Sequence, residues 1–140
     1  MAITYTLDDV RFDLRGRHRL RAWIEQVVRN ADKRVGEIGY VFCSDDHLLT
    51  VNRQFLNHDT YTDIITFDYV SGDMVSGDII ISVDRVRENA KQMNLPFSEE
   101  LHRVMIHGVL HLLGQGDKSE RESKEMRAKE NVALQLLEQM

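Results

Sequence analysis

The stretch from residue 106 to 118, IHGVLHLLGQGDK, constrains the fold of this chain most, because it places two histidines four residues apart in an almost wholly apolar segment. Apart from these histidines, residues 104 to 113 are aliphatic, Met or Gly, and a helix that is apolar all round is buried. Two imidazoles without partners would be costly there, since a buried polar group needs a hydrogen bond or a metal. The segment therefore predicts a buried helix that carries a site.

The spacing of three side chains in this stretch predicts a metal site. Residues four apart lie on one face of a helix, so His107 and His111 can direct ring nitrogens at one point about 2 Å from each. Gly114 lets the chain reverse and Gly116 keeps the turn free of side-chain bulk, so Asp117 can fold back as a third ligand. Two imidazoles and a carboxylate suit one divalent ion, zinc before nickel, iron or manganese. The alternative is that core hydrogen bonds satisfy both histidines and Asp117 only shapes a turn.

The residue after the first histidine limits the chemistry of such a site. Metalloproteases with the His-Glu-x-x-His pattern use the glutamate as general base. Here that position is Gly108, which can neither accept nor donate a proton. The site can hold a metal, but it lacks the base that peptide hydrolysis by this mechanism requires.

The composition indicates one domain spanning residues 1–140. No apolar run approaches the length of a membrane span, and the N-terminal segment reaches acidic residues and arginines too soon for a signal peptide. Cys43 is the only cysteine, which excludes an intramolecular disulfide and a thiolate metal cage. We therefore expect a cytoplasmic protein with no membrane partner; the oligomeric state stays open.

Hydrophobic periodicity predicts the order β, α, β, α, β, β, followed by three helices. The short turn before IIISV indicates a hairpin, and the lack of alternation in IIISV indicates a strand covered on both faces. Ser98 is the expected N-cap of the motif helix, and Ser119 with Glu122 forms a capping box for the last helix. The expected fold is α+β, with one mixed sheet of about four strands, about five helices, and the metal site on a buried helix in a cleft.

The charge distribution neither requires nor excludes a nucleic-acid partner. The net charge of −5 argues against broad adhesion to nucleic acid, which relies on clustered basic residues. Five arginines nevertheless lie within eleven residues: Arg11, Arg15, Arg17, Arg19 and Arg21. They fit either a solvated helix face or a patch that contacts phosphates. They therefore permit RNA as a partner without establishing it.

Four segments together resemble one known family. HGVLHLLGQGD is similar to the YbeY signature His-Gly-x-Leu-His-Leu-x-Gly-Tyr-Asp-His, and three further matches follow the family's order: VNRQFLNHDTYTDIITF (51–67), GDIIIS (77–82) and MRAKEN (126–131). The chain is identified on these motifs as a member of the YbeY family of metal-dependent endoribonucleases and ribosomal RNA maturation factors. The resemblance implies a motif helix in a cleft beside the sheet. It also implies small-subunit ribosomal RNA, the ribosome and ribosome-assembly proteins as partners.

Besides Gln115 and Gly116, which replace the Tyr-Asp pair of the signature, two departures from the family pattern bear on the chemistry of the site. The family's third metal histidine aligns with Asp117, which makes this chain a variant with a carboxylate as third ligand. The family's arginine, to which the resemblance gives a role in RNA contact or cleavage, aligns with Leu56. Arg53 or His58 could take its place.

Two further residues are expected to line the cleft at the start of a strand, Thr62 and Asp63. Asp63 either orients a histidine from behind or caps the preceding turn. The sequence assigns no general acid or base.

Three functions remain open from the sequence. The leading one is a metal-dependent endoribonuclease that prefers single strands and acts in ribosomal RNA maturation and ribosome quality control; three ligands with an open position favour it. The second is a ribosome-assembly binding factor with a structural metal and little catalysis, favoured by Leu56 and the acidic charge. The third is a small metallohydrolase of another substrate class.

Overall fold

The computed structural model describes residues 2–58 and 61–140 and confirms the predicted order of elements. The strands are β1 (Ala2–Leu7), β2 (Arg34–Cys43), β3 (Ile64–Asp68) and β4 (Met74–Ser82). The helices are α1 (Arg17–Asn30), α2 (Asp45–Phe55), α3 (Val83–Gln92), α4 (Phe97–Leu112) and α5 (Glu120–Glu138). The expected α+β class, with four strands and five helices in the described residues, is confirmed.

The sheet is mixed, with the strand order β1-β2-β4-β3. β1 runs parallel to β2, and β2 runs parallel to β4. β3 pairs with β4 in antiparallel register, from Ile64 opposite Ile81 to Asp68 opposite Gly77. This confirms the predicted hairpin and leaves β3 at one edge of the sheet, next to the start of the cleft described below.

The central strand β4 is covered on both faces, as its unbroken apolar run predicts. Ile79 and Ile81 are fully buried in the main core. Ile80, between them, packs against a smaller cluster made by Cys43, Leu48, Val51 and Ile65. Successive side chains of a strand point to opposite faces, so three isoleucines in a row serve two apolar layers.

The main core joins α1, α4 and α5 to the sheet through buried side chains with few polar atoms. Two of those polar atoms form hydrogen bonds between elements. The indole N–H of Trp23 donates to the carbonyl of Ala133 at 2.7 Å, and the hydroxyl of Tyr40 donates to the carbonyl of Met105 at 2.9 Å. Each buried bond of this kind contributes about 1 kcal/mol and fixes α4 and α5, which form the walls of the cleft.

One predicted cap is wrong and one is confirmed. α4 begins at Phe97 with Pro96 in the N-cap position and no side-chain cap. Ser98 therefore lies inside the first turn, where the helical backbone prevents it from capping. At α5, Ser119 accepts from the N–H of Glu122 while the Glu122 side chain reaches back to the N–H of Ser119, which is the expected capping box.

In the described residues, no helix combines the length and the apolar character that crossing a membrane requires.

Candidate metal centre

α4 places the two motif histidines one turn apart on the same face. Their rings stand edge to face, with centroids 4.5 Å apart and an interplanar angle of 83°. The side chains are 20% and 26% exposed for His107 and His111. Each ring is therefore largely embedded in the protein while one edge reaches the surface of a cleft.

The turn after α4 returns the chain towards these histidines. Gly114 adopts a φ of 97°, and its N–H donates to the carbonyl of His111, while the N–H of Gln115 donates to the carbonyl of Leu110. This is the Schellman ending, which favours glycine because a Cβ is unfavourable at positive φ. A Cβ at Gly116 would collide with the Glu122 carboxylate of the capping box. Both glycines thus have the roles that the sequence suggests.

Asp117 completes a set of three ligand atoms. Its Oδ2 atom lies 3.3 Å from Nε2 of His107 and 3.3 Å from Nε2 of His111. All three ligand atoms lie within 4.8 Å of one another. Two ligands at zinc-like bond lengths on a tetrahedron are about 3.3 Å apart. The donor set and its spacing therefore fit a divalent ion, and the structure brings the three predicted residues together.

The three side chains open into a cleft of about 350 Å³ between α4, α5 and the start of β3. Thr62 and Asp63 line it from the segment just before β3. The other lining residues are Ile64, Thr66, Glu100, Arg103, Val104, Ser123, Met126, Arg127 and Glu130. The site thus combines acidic and basic side chains with the three potential ligands.

Two residues that the sequence offered as substitutes for the family's arginine do not line this cleft. Arg53 is on α2 and His58 follows that helix; both are exposed, and neither is among the residues that line the cleft. Leu56 is the C-cap residue of α2 and is 41% exposed. The guanidiniums that the described residues do bring into the cleft are those of Arg103 and Arg127.

Sequence reasoning missed Glu130, which is 4% exposed on α5. Its Oε2 lies 2.6 Å from Nδ1 of His107, and its Oε1 accepts from Nη1 of Arg103 at 2.9 Å. Nη1 of Arg127 lies 3.6 Å from the same Oε1. A signal was present in the sequence, because Glu130 interrupts the buried stripe of α5 formed by Met126, Ala133 and Leu137.

These contacts set the charges of the buried pair. Burial alone lowers the pKa of His107, but the hydrogen bond and charge of Glu130, with the charges of Asp117 and Asp63, raise it above its usual value. Burial raises the pKa of Glu130, but hydrogen bonds from His107 and Arg103 outweigh it and lower that pKa. Glu130 is therefore an ionised carboxylate in a buried position.

Two other acids of the cleft hold their protons more tightly than usual. Burial raises the pKa of Asp63, against the charge of His107. Burial and the charge of Asp63 raise the pKa of Glu100, whose Oε1 atom is buried with no hydrogen-bond partner among the described residues. Both carboxyl groups therefore keep their protons to a higher pH than exposed carboxyl groups of the same kind.

Known proteins resemble this chain along nearly its whole length. The family model described as "Endoribonuclease YbeY" matches residues 7–138. Relatives with that name include one from Phocaeicola vulgatus, 53% identical over 96% of this chain and 98% of the relative. Another, from Bacteroides fragilis, is 49% identical over 99% of this chain and 100% of the relative. The solution structure of TM1509 from Thermotoga maritima matches with a TM-score of 0.68 and 29% identity, over 97% of this chain and 89% of that one. The chain belongs to the YbeY family.

Proposed function

We propose that this protein is a metal-dependent endoribonuclease that cleaves single-stranded RNA. The observation that carries the proposal is the convergence of His107, His111 and Asp117 on a cleft that also contains two guanidiniums. The relatives named above as endoribonucleases support the choice of RNA as substrate. Gly108 supports it indirectly, since it replaces the base that a protease of the same helical pattern needs.

The three ligands would hold one divalent ion, with zinc the first candidate and nickel, iron or manganese as alternatives. Two imidazoles and one carboxylate leave a coordination position open. When bound, such an ion supplies positive charge that polarises a scissile phosphate. The protein contributes by holding the three ligands at a fixed spacing, two on α4 and one on the turn that follows it.

Arg127 is suited to bind the phosphate beside the metal ligands. One of its nitrogens lies near Glu130, while its side chain is 57% exposed at the cleft. A guanidinium has five N–H donors, so Arg127 can keep that contact and still donate to a phosphate oxygen. The side chain of Arg103 is only 16% exposed and is paired with the buried carboxylate of Glu130, so it is less available to a phosphate. Arg127 would therefore supply the charge that Leu56 does not.

The exposure of the ligands favours a single-stranded substrate. The three ligand side chains are between 20% and 38% exposed, so a phosphate must enter the cleft to reach them. A single strand can bend its backbone into such a cleft, whereas the backbone of an A-form duplex is held on a rigid helix. Single-stranded loops and ends are therefore the expected cleavage sites.

The motif resemblance supports ribosomal RNA as the natural substrate, in maturation and quality control of the small subunit. The ribosome or its assembly proteins would then be partners, and the cytoplasm the location. Because the net charge is −5, broad electrostatic adhesion to RNA is weak. A partner protein or a specific RNA structure would have to bring the substrate to the cleft.

Cleavage of matched single-stranded and duplex RNAs by zinc-loaded protein tests the proposal. We expect the single strand to be cut, His111→Ala to lose cleavage, and Arg127→Gln to cut more slowly. Arg121→Gln is the matched control, because Arg121 lies on the same helix, is exposed, and does not line the cleft. Zinc-loaded protein that binds ribosomal RNA but cleaves none would instead support a binding factor with a structural metal.

A further inference from the structure

We propose that Glu130 is a positioning residue of the metal centre: from α5, its buried carboxylate fixes the tautomer and orientation of His107 on α4. Arg103 in turn keeps this carboxylate in place. The inference rests on the metal-binding part of the proposed function and does not require RNA cleavage. No part of the ligand motif itself contains Glu130, which lies thirteen positions after Asp117.

The contact between Glu130 and His107 determines which ring nitrogen is available to a metal. Nδ1 of His107 lies 2.6 Å from Oε2 of Glu130. An ionised carboxylate can only accept, so Nδ1 carries the proton, and in the neutral ring Nε2 keeps its lone pair. Nε2 is the atom that lies 3.3 Å from Asp117. A carboxylate behind a ligating histidine has this effect on tautomer and ring orientation at metal sites generally.

Arg103 holds the second oxygen of the same carboxylate. Nη1 of Arg103 donates to Oε1 of Glu130 at 2.9 Å, and the two side chains are 16% and 6% exposed. The pair connects α4 to α5, so the carboxylate cannot turn away from His107 without leaving a buried guanidinium unpaired. Removing one partner of a buried ion pair is strongly unfavourable. His107 is thereby held from the opposite wall of the cleft.

Glu130→Gln should reverse the tautomer without removing the side chain. The amide has one oxygen acceptor and an NH₂ donor, whereas Arg103 can only donate. The amide oxygen will therefore turn to Arg103, and the NH₂ group will face Nδ1 of His107. Nδ1 must then accept, and the proton moves to Nε2, where it occupies the lone pair that a metal needs. We expect the affinity for Zn²⁺ to fall by about 10- to 100-fold.

Two measurements on the full chain test this expectation. Zn²⁺ affinity is measured by competition with a chromophoric chelator, and ¹⁵N spectra of the imidazoles in metal-free protein report which nitrogen of His107 is protonated. Glu100→Gln is the matched control, because it removes another buried carboxylate of the cleft, 5% exposed on α4, without touching His107. A loss of zinc affinity in this control as large as in Glu130→Gln would overturn the proposal, since the effect would then be one of charge alone.

A double-mutant cycle separates positioning from general structural support. If Glu130 acts through His107, Glu130→Gln should weaken zinc binding in the wild-type background and add little in the His107→Ala background. Equal losses in both backgrounds would overturn the proposal, as would an Nδ1–H tautomer that persists in folded Glu130→Gln.

A second variant is needed if Glu130→Gln does not fold because Arg103 has lost its charged partner. Glu130→Leu with Arg103→Met removes both charges together, an exchange that proteins often tolerate. His107 then has no carboxylate behind it, and we expect the same 10- to 100-fold loss of zinc affinity. Wild-type affinity in this folded variant would contradict the proposal. Wild-type protein that binds zinc but cuts no RNA would refute the nuclease function and leave this inference standing.

Discussion

At the scale of single residues, Asp117 lies in a turn after glycine, where aspartate is also common for structural reasons alone. Its Oδ2 atom is equally distant from both histidines, which a role confined to the turn does not explain. We expect Asp117→Ala to lose most bound zinc because two ligands remain, and Asp117→His to retain it. Elemental analysis of purified protein measures both.

Asp117→Asn distinguishes the ligand from the turn residue. Asparagine keeps the hydrogen-bonding shape of the turn but offers only a neutral amide to the metal, so zinc content should fall. Lys118→Ala, at the exposed neighbouring position, is the control and should retain zinc. Full zinc content in the Ala and Asn variants would mean that the third ligand lies elsewhere.

Glu100 gives a pH-dependent prediction in metal-free protein. Burial raises its pKa in the folded state, so the folded protein binds this proton more tightly than the unfolded chain does. The free energy of unfolding then falls as pH rises from the unfolded pKa, about 4.3 for Glu, through the higher folded pKa. Glu100→Gln removes this loss. Urea unfolding should show the variant gaining stability relative to wild type between about pH 4 and pH 7.

Glu99→Gln is the control for that measurement, because Glu99 is exposed on the same turn. If the difference in stability between Glu100→Gln and wild type is the same at both pH values, the linkage argument fails.

The site residues that could be predicted from the sequence are those that lie close to one another along the chain. His107, His111 and Asp117 lie within eleven positions, so helix periodicity and one turn suffice to bring them together. Glu130 and Arg103 could not be placed in the same way, because their contact depends on how α5 packs against α4. Whether Arg53 and His58 line the cleft likewise depends on where α2 packs, which no local pattern encodes.

At the scale of elements, α4 lies close to the sheet because of Gly108. A Cβ at this position would come 2.8 Å from Cγ2 of Ile79 and 3.1 Å from Cδ1 of Ile64. The sequence shows only that Gly108 stands where a metalloprotease has its glutamate base. The structure shows that the absence of a side chain here also allows α4 to pack against the sheet. We expect Gly108→Ala to destabilise the protein by about 1–2 kcal/mol, since overpacking outweighs the better helix propensity of alanine.

Urea unfolding of Gly108→Ala measures this cost, with Lys129→Ala as a control at an exposed helical position. A Gly108→Ala variant more stable than wild type would mean that propensity dominates and that Ile79 can move aside.

The helix caps offer a matched comparison of sequence and structure. From sequence, both Ser98 and Ser119 read as N-caps, but only Ser119 accepts a hydrogen bond from the backbone, at 3.0 Å from the N–H of Glu122. We expect Ser119→Ala to lower the free energy of unfolding by about 1 kcal/mol and Ser98→Ala to leave it nearly unchanged. Chemical denaturation of both variants decides. Equal effects would contradict the observed start of α4 at Phe97.

At the scale of the whole molecule, the cleft gathers side chains from segments that are far apart in the chain. Its lining runs from Thr62, before β3, through α4 and the turn to Glu130 on α5. The class, the mixed sheet and the hairpin could be predicted because β4 has to be apolar on both faces and the turn before it is short. The cleft could not, because it is the space left between α4, α5 and the sheet edge after they pack.

A metal at this place should stabilise the whole fold, because its ligands come from α4 and from the turn that joins α4 to α5. Any ligand that binds the folded protein alone adds stability, about 2.7 kcal/mol at a concentration one hundred times its Kd. For a chain of this size that corresponds to a rise in Tm of roughly 5–10 °C.

We expect Zn²⁺ to raise Tm by that amount and a chelator to reverse the change. His107→Ala and His111→Ala should remove the shift, and Leu56→Ala, away from the cleft lining, should keep it. A full zinc-dependent shift in His111→Ala would place the stabilising ion at some other site.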